Sequence, residues 1–207
     1  SGSLEEGQNI PQAALTGGWD RLRAHEHSAD HAVIVVKFTA AGASGLVGDS
    51  LEKFANTTID LTAVSHRAAL IRDLSAQLEA TTGQQRIHLV EHFLLTWLRD
   101  DAPDPLTQAA VNAIERSRGT IRISKLTGLV GLSQSALERR SRRTVGVTPR
   151  KYASLVRLRH VVCLREAGAD FTTIAHAAGY ADQSHLVRDF VQRAGAPPTR
   201  FDPATGR

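Results

Sequence analysis

The chain has 207 residues, 42% of them hydrophobic, and a formal net charge of +4; this supports one or two packed domains and excludes a disordered or collagen-like chain. A single cysteine, Cys163, excludes an internal disulfide and fits a reducing compartment, so a cytoplasmic location is expected. No apolar run approaches the roughly 18–20 residues of a membrane helix, and no signal-peptide pattern opens the chain.

Residues 11–30 are polar, carry Gly17-Gly18, and read as loop or hairpin. His31 to Thr39 is rich in β-branched residues (Val33, Ile34, Val35, Val36) and stops before Gly42, which predicts a strand. Ala43 to Val47 and Asp49 to Ala55 read as short helical turns. From Val64 to Ala80, Leu70, Ile71, Leu74 and Leu78 recur at helical spacing and stop near Gly83. Gln84 to Arg99 repeats the pattern with Ile87, Val90, Leu94 and Leu98. Asp100 to Pro105 is a break rich in Asp and Pro. Pro105 to Arg118 predicts a further helix with Ala109, Ala110, Ala113 and Ile114 on one face and Gly119 beyond its end. The domain boundary is expected near 100–120. Residues 1–102, one strand plus helices, do not by themselves make an obvious domain, and residues 103–207 read as a helical domain. The chain contains no methionine and opens on Ser-Gly-Ser, so it reads as a fragment.

The remainder contains an internal repeat. Leu137-x-Arg139, Gly146, Pro149 and Tyr152 recur as Leu186-x-Arg188, Gly195, Pro198 and Phe201, each 49 residues on. Upstream, Leu126, Val130 and Gly131 match Ile174, Ala178 and Gly179 at an offset of 48. Each copy, about 121–149 and 170–201, reads as helix, turn, helix. In the first, Leu126 and Leu129/Val130 form an apolar stripe, Gly131 supplies a positive φ, and Ser133 caps the next helix. That helix packs through Leu137 and turns outward Gln134, Ser135, Glu138, Arg139, Arg142 and, a turn beyond Arg139, Arg143. In the second, Phe171, Ile174, Ala175 and Ala178 face inward, Gly179 ends the helix and Asp182 caps the next. There Leu186 and Phe190 pack inside, while Ser184, His185, Arg188 and Gln192 face out. Pro149 to Ala167 joins the units as one helix with a predicted seam of Leu155, Leu158 and Val162, ended by Gly168. Cys163 is expected in its core packing.

Charge divides along the same line. Residues 1–120 hold 10 Lys/Arg against 15 Asp/Glu, and residues 121–207 hold 15 against 6. A basic domain of this size is the electrostatic footprint of a polyanion binder. A helix fits the major groove of B-DNA, where Arg offers a fork to guanine and Gln, Ser and His supply shorter donors and acceptors. Arg139-Arg140-Ser141-Arg142-Arg143 and Arg150-Lys151 supply charge for phosphates. Two such units on a stiff connector suit successive major grooves, about one helical turn or ~34 Å apart. Double-stranded DNA is therefore the expected partner.

The second unit, Ile174-Ala175-His-Ala-Ala-Gly179-Tyr180-Ala-Asp182-Gln183-Ser184-His185-Leu186-x-Arg188-Asp-Phe190, followed by Gly195, Pro198 and Phe201, resembles the signature of the AraC/XylS family of bacterial transcription regulators. The first unit and Arg157-Leu158-Arg159 fit the same pattern over about 80 residues. The resemblance implies a mostly α fold, with a seven-helix domain of two helix-turn-helix units acting on promoter DNA. It also implies an upstream region that senses a small-molecule effector or forms a homodimer, often a cupin-like β-barrel; Val33 to Phe38 and the helices after it resemble only the last strand and tail of one. By position, the implied base readers are Ser135, Glu138 and Arg139, then Gln183, Ser184, His185 and Arg188. Ser141 stands where the family commonly has an aromatic, and Gly128 lies inside a predicted helix.

Two other chemistries are legible. His88-Leu-Val-Glu91-His92 spells the H-x-x-E-H of inverted zinc peptidases, with Glu166 as the spaced third ligand. The plainer reading is a polar helix face. His25, His27 and His31 have metal-cluster spacing, but a solvated loop is the plainer reading. There is no nucleophile with a positioned base and no phosphate-cradling loop, so no enzyme and no cofactor are expected. The remaining alternative is a protein-interaction module without DNA binding, against which the basic faces argue.

Overall fold

The computed structural model describes residues 12–18, 33–45, 47, 49–64, 67–97, 104–194 and 197–198. Among these, the front of the chain holds a two-stranded antiparallel ladder, β1 (Ala14–Thr16) and β2 (Thr58–Asp60), in the register Ala14–Asp60, Leu15–Ile59 and Thr16–Thr58. Two 3-10 turns, Gly42–Gly45 and Leu51–Phe54, lie between them in sequence. Three helices follow: α1 (Leu61–Val64), α2 (Ala68–Glu79) and α3 (Gln84–Trp97). Ile71 and Trp97 are buried, and Phe93 meets Trp97 edge-on at 5.0 Å.

Of the strand expected at His31 to Thr39, the described part, residues 33–39, is not formed. Residues 33–39 carry no ladder, and Val33, Val35 and Val36 are exposed. β-Branching favours an extended backbone only where a partner strand supplies hydrogen bonds and a surface to pack on. Here the ladder goes to Ala14–Thr16, inside a segment read as loop, and to Thr58–Asp60. Three residues are too few to show a period of two. Gly17 continues the ladder by donating to Thr57 O at 3.1 Å; a Cβ there would stand 1.9 Å from Phe54 O.

The back of the chain is helical: α4 (Pro105–Arg116), α5 (Ile123–Val130), α6 (Gln134–Val145), α7 (Pro149–Glu166), α8 (Phe171–Ala177) and α9 (Gln183–Ala194). The expected cap at Ser133 forms, and Asp104, Thr148 and Asp170 cap three further helices. Asp104 accepts from Leu106 N, Ser133 from Ala136 N, Thr148 from Lys151 N, and Asp170 from Thr172 N and Thr173 N. Each cap satisfies N–H groups that a helix start leaves without partners. Gly131 ends α5 at φ +66°, a backbone that only glycine adopts without steric cost.

Two hydrophobic clusters share α7. The first joins Ala110, Ala113 and Ile114 of α4, Leu126 and Val130 of α5, Leu137 of α6, and Ala153 and Val156 of α7. The second joins Leu158 and Val161 of α7, Ile174 and Ala175 of α8, Ala178 and Tyr180 after it, and Leu186 and Phe190 of α9. The connector thus buries different faces at its two ends, not the single seam of Leu155, Leu158 and Val162. Leu155 and Val162 are half-buried. Cys163 is exposed, which corrects its expected core role. It lies two turns beyond Val156 on nearly the same side, past the last residue that the first cluster covers. Leu129 is also outside the core, at 55% exposure, while Val130 takes the buried place.

Polar contacts fix the connector against α4. Glu115 accepts from Tyr152 Oη at 2.5 Å and pairs with Arg159. Burial and the adjoining Glu115 carboxylate push the Tyr152 phenol above its ordinary pKa, keeping it a donor. Among the described residues, no helix is long and apolar enough to cross a membrane.

Candidate nucleic-acid interface

The two short helix pairs, α5–α6 and α8–α9, are built alike. In each, the fourth residue of the second helix is fully buried: Leu137 in α6 and Leu186 in α9, both at 0% exposure. Helical geometry then aims the residues two before and two after each anchor to the far side. In α6 these are Ser135 and Arg139; in α9 they are Ser184 and Arg188. All four are exposed. Arg188 Nε donates to Ser184 O at 3.3 Å, which lays the guanidinium along the first turn of α9.

The other expected contact residues fall around these faces. Gln134 and Gln183 open the two helices, and both are exposed. Gln134 Nε2 donates to Glu138 Oε1 at 2.9 Å, and Glu138 is half-buried. Arg142 and Arg143 are exposed at the far end of α6. His185 and Gln192 are exposed on α9, but they line a cleft toward α7. The backbone N–H of His185 donates to Asp182 Oδ1 at 2.7 Å, so Asp182 caps α9. The His185 ring meets Tyr180 edge-on at 5.3 Å.

Three details of this surface could not be read as motifs. Arg140 is not part of the outward face: it bonds Asp104 at the start of α4 at 2.9 Å. Ser141 sits buried at the place of Phe190 in the second unit, and its hydroxyl donates to Val147 O at 2.7 Å. The small side chain therefore satisfies a buried carbonyl where an aromatic would fill space. Finally, the 3-10 turn Leu51–Phe54 packs on α6. Glu52 Oε1 lies 3.6 Å from Arg142 Nε, and a Cβ on Gly146 would stand 3.1 Å from Leu51 O.

Tyr180, Asp189 and Arg157 border the same cleft and are not among the expected contact residues. Tyr180 Oη donates to Asp189 Oδ2 at 2.8 Å, and Arg193 Nε donates to Asp189 Oδ1 at 3.1 Å. Burial and that carboxylate push the Tyr180 phenol above its ordinary pKa. Arg157 could have been found: Arg150, Ser154 and Arg157 recur at helical spacing and share one side of α7.

The alternative metal motif lies elsewhere. His88, Glu91 and His92 are exposed on α3, with His88 Nδ1 3.4 Å from Glu91 Oε2, and Glu166 is exposed at the end of α7. Among the described residues, no three His, Cys, Asp or Glu side chains gather as metal ligands. His25, His27 and His31, and the repeat positions Gly195 and Phe201, lie outside the described residues.

Residues 126–203 match a family model described as a helix-turn-helix domain. A protein of Streptomyces lividans described as a putative AraC-like transcription regulator is 32% identical over 117 residues, which is 55% of this chain. The match spans 38% of that relative's length. Among solved structures, ToxT from Vibrio cholerae aligns with a TM-score of 0.42 and 16% identity, over 62% of this chain and 54% of ToxT.

Proposed function

We propose that this protein is a sequence-specific DNA-binding transcription regulator of the AraC type; the match of residues 126–203 to a helix-turn-helix domain and the similarity to a putative AraC-like regulator support this reading. It places α6 and α9 in successive major grooves of promoter duplex. One observation carries this reading. Two helix-turn-helix units, each with its own closed core, share α7 and present Ser135/Arg139 and Ser184/Arg188 at matching places beside buried Leu137 and Leu186. A solvated surface has no need for that correspondence, whereas reading two grooves requires it.

In this reading Arg139 and Arg188 address bases, with Ser135, Glu138, Gln183, Ser184 and His185 beside them. Gln134, Arg142, Arg143 and Gln192 hold the flanks. Residues 103–207 form the DNA-binding domain, and residues 1–102 belong to a sensor or dimerisation region in front of it. The contact of Leu51–Phe54 with α6 supports control through the front region, because a shift there reaches the first recognition helix directly. A small-molecule effector and self-association are the signals expected to act through it. Selection of binding sites from a random duplex pool tests the reading. Enrichment of two half-sites about one helical turn apart is expected; recovery of no preferred sequence would overturn it.

A further inference from the structure

Between the N-terminal half of α7 and the flank of α9 lies a cleft of about 610 Å³, bordered by Arg150, Lys151, Arg157, Tyr180, Asp189 and Arg193. Its lining carries four cations against one carboxylate. That carboxylate is already engaged, since Asp189 accepts from both Tyr180 and Arg193. The surplus of positive charge is therefore held in place before any ligand arrives. Such preorganisation lowers the ordering cost of binding an anion.

Arg157 fixes the centre of this charge. Its Nη2 donates to Gly119 O at 2.9 Å, and its guanidinium carbon lies 5.4 Å from the centre of the Tyr180 ring. A carbonyl oxygen and a ring face orient the guanidinium without neutralising it. Among the described residues, Arg157 Nε is the buried side-chain nitrogen or oxygen with no hydrogen-bond partner. Thr148 and Ser154 border the same cleft with hydroxyls, and His185 and Gln192 reach its rim from α9. Arginine forks, an ammonium and short hydroxyls together match the oxygens of a phosphate group.

We propose that this cleft is a phosphate-binding site. Its occupant is a backbone phosphate of duplex held between α7 and the second recognition helix, α9, or else free inorganic phosphate. The first source rests on the DNA-binding reading; the second does not.

Two measurements on the full chain separate these cases. In the first, a labelled duplex is titrated at several salt concentrations with wild type, Arg150→Gln, Lys151→Gln and the charge-keeping Arg150→Lys. Each Gln variant is expected to lower the log–log salt slope by about 0.9 and to weaken binding about tenfold at low salt, with Arg150→Lys close to wild type. In the second, the NMR signals of His185 and Tyr180 are followed as inorganic phosphate replaces chloride at constant ionic strength. Saturable shifts in wild type that vanish in Arg150→Gln assign the site to free phosphate, even if no duplex binds. Unchanged salt slopes together with no saturable shift would overturn the site. If wild type binds duplex tightly under that outcome, the DNA-binding reading stands and the cleft proposal alone falls. Circular dichroism of each variant confirms that the fold is kept.

Discussion

Arg140 Nη1 donates to Asp104 Oδ2 at 2.9 Å, which takes one arginine out of the cluster on α6 and spends it on the start of α4. The run Arg139-Arg140-Ser141-Arg142-Arg143 is uniform in sequence but divided in space. All four arginines are exposed, but Arg140 reaches from the side of α6 toward the start of α4. Asp104 also accepts from Leu106 N and from the buried Thr107 hydroxyl at 2.7 Å, so one carboxylate links two helices and caps one of them.

Asp104→Asn keeps an oxygen to cap α4 but loses the charge paired with Arg140 and the acceptor used by Thr107, and should cost about 1 kcal/mol. Burial opposes the Asp104 charge, but the Thr107 hydroxyl, Arg140 and the Leu106 N–H outweigh it and hold the carboxyl below its ordinary 3.8. A carboxyl depressed by folding stabilises the fold fully above its unfolded pKa. That stabilisation is lost as pH falls through the folded value. Denaturant melts from pH 7 down to pH 2 should show Asp104→Asn with a shallower acid loss than wild type. An equal acid loss in both would show that Asp104 is not linked to folding.

Two glycines should respond in opposite directions. Gly119 has φ +77°, and a Cβ there would stand 2.1 Å from Ala153 O and 2.8 Å from Arg157 N. Gly119→Ala should destabilise by about 2–4 kcal/mol, from left-handed strain and collision with α7. Gly128 lies within α5 with nothing near its Cβ position. Gly128→Ala should stabilise by up to about 1 kcal/mol through helix propensity alone. Thermal melts of the two variants check both signs.

Arg188 and Arg143 should separate base reading from backbone contact. Arg188 shares the first-turn face of α9 with Ser184, whereas Arg143 stands near the C-terminal end of α6. Arg188→Ala is expected to cost about 1–3 kcal/mol on the preferred site and to relax preference at one base pair. Arg143→Ala is expected to weaken all sequences alike and lower the salt slope by about one. Site selection with each variant distinguishes them; retained preference in Arg188→Ala with altered preference in Arg143→Ala would reverse the assignment.

Glu52 should act on DNA binding without touching DNA. Its carboxylate lies 3.6 Å from Arg142, and both side chains are about half exposed, so the pair contributes little to stability. It does, however, place a negative charge beside an arginine assigned to phosphate. Glu52→Gln should raise duplex affinity about two- to fivefold at low salt with an unchanged melting temperature. Binding isotherms for the two proteins provide the check, and equal affinity would show that the front turn leaves Arg142 uncommitted.

What the sequence determined by itself is everything encoded in local spacing. The 49-residue repeat, the inward places of Leu137, Leu186 and Phe190, the caps at Ser133 and Asp182 and the break at Gly131 all follow from helical period and backbone freedom. Each depends on neighbours within one or two turns, so each was legible before any fold was known. Tertiary structure decided what depends on partners distant in the chain. It withheld a strand from Val33–Val36 and gave the ladder to Ala14–Thr16 and Thr58–Asp60, because a strand exists only with a second strand beside it. It split α7 between two cores, leaving Cys163 outside both. It also turned Arg140 toward Asp104 and brought Arg157 to Tyr180 beside α9, because the partner of a long charged side chain is set by packing across the chain, not by its own helix.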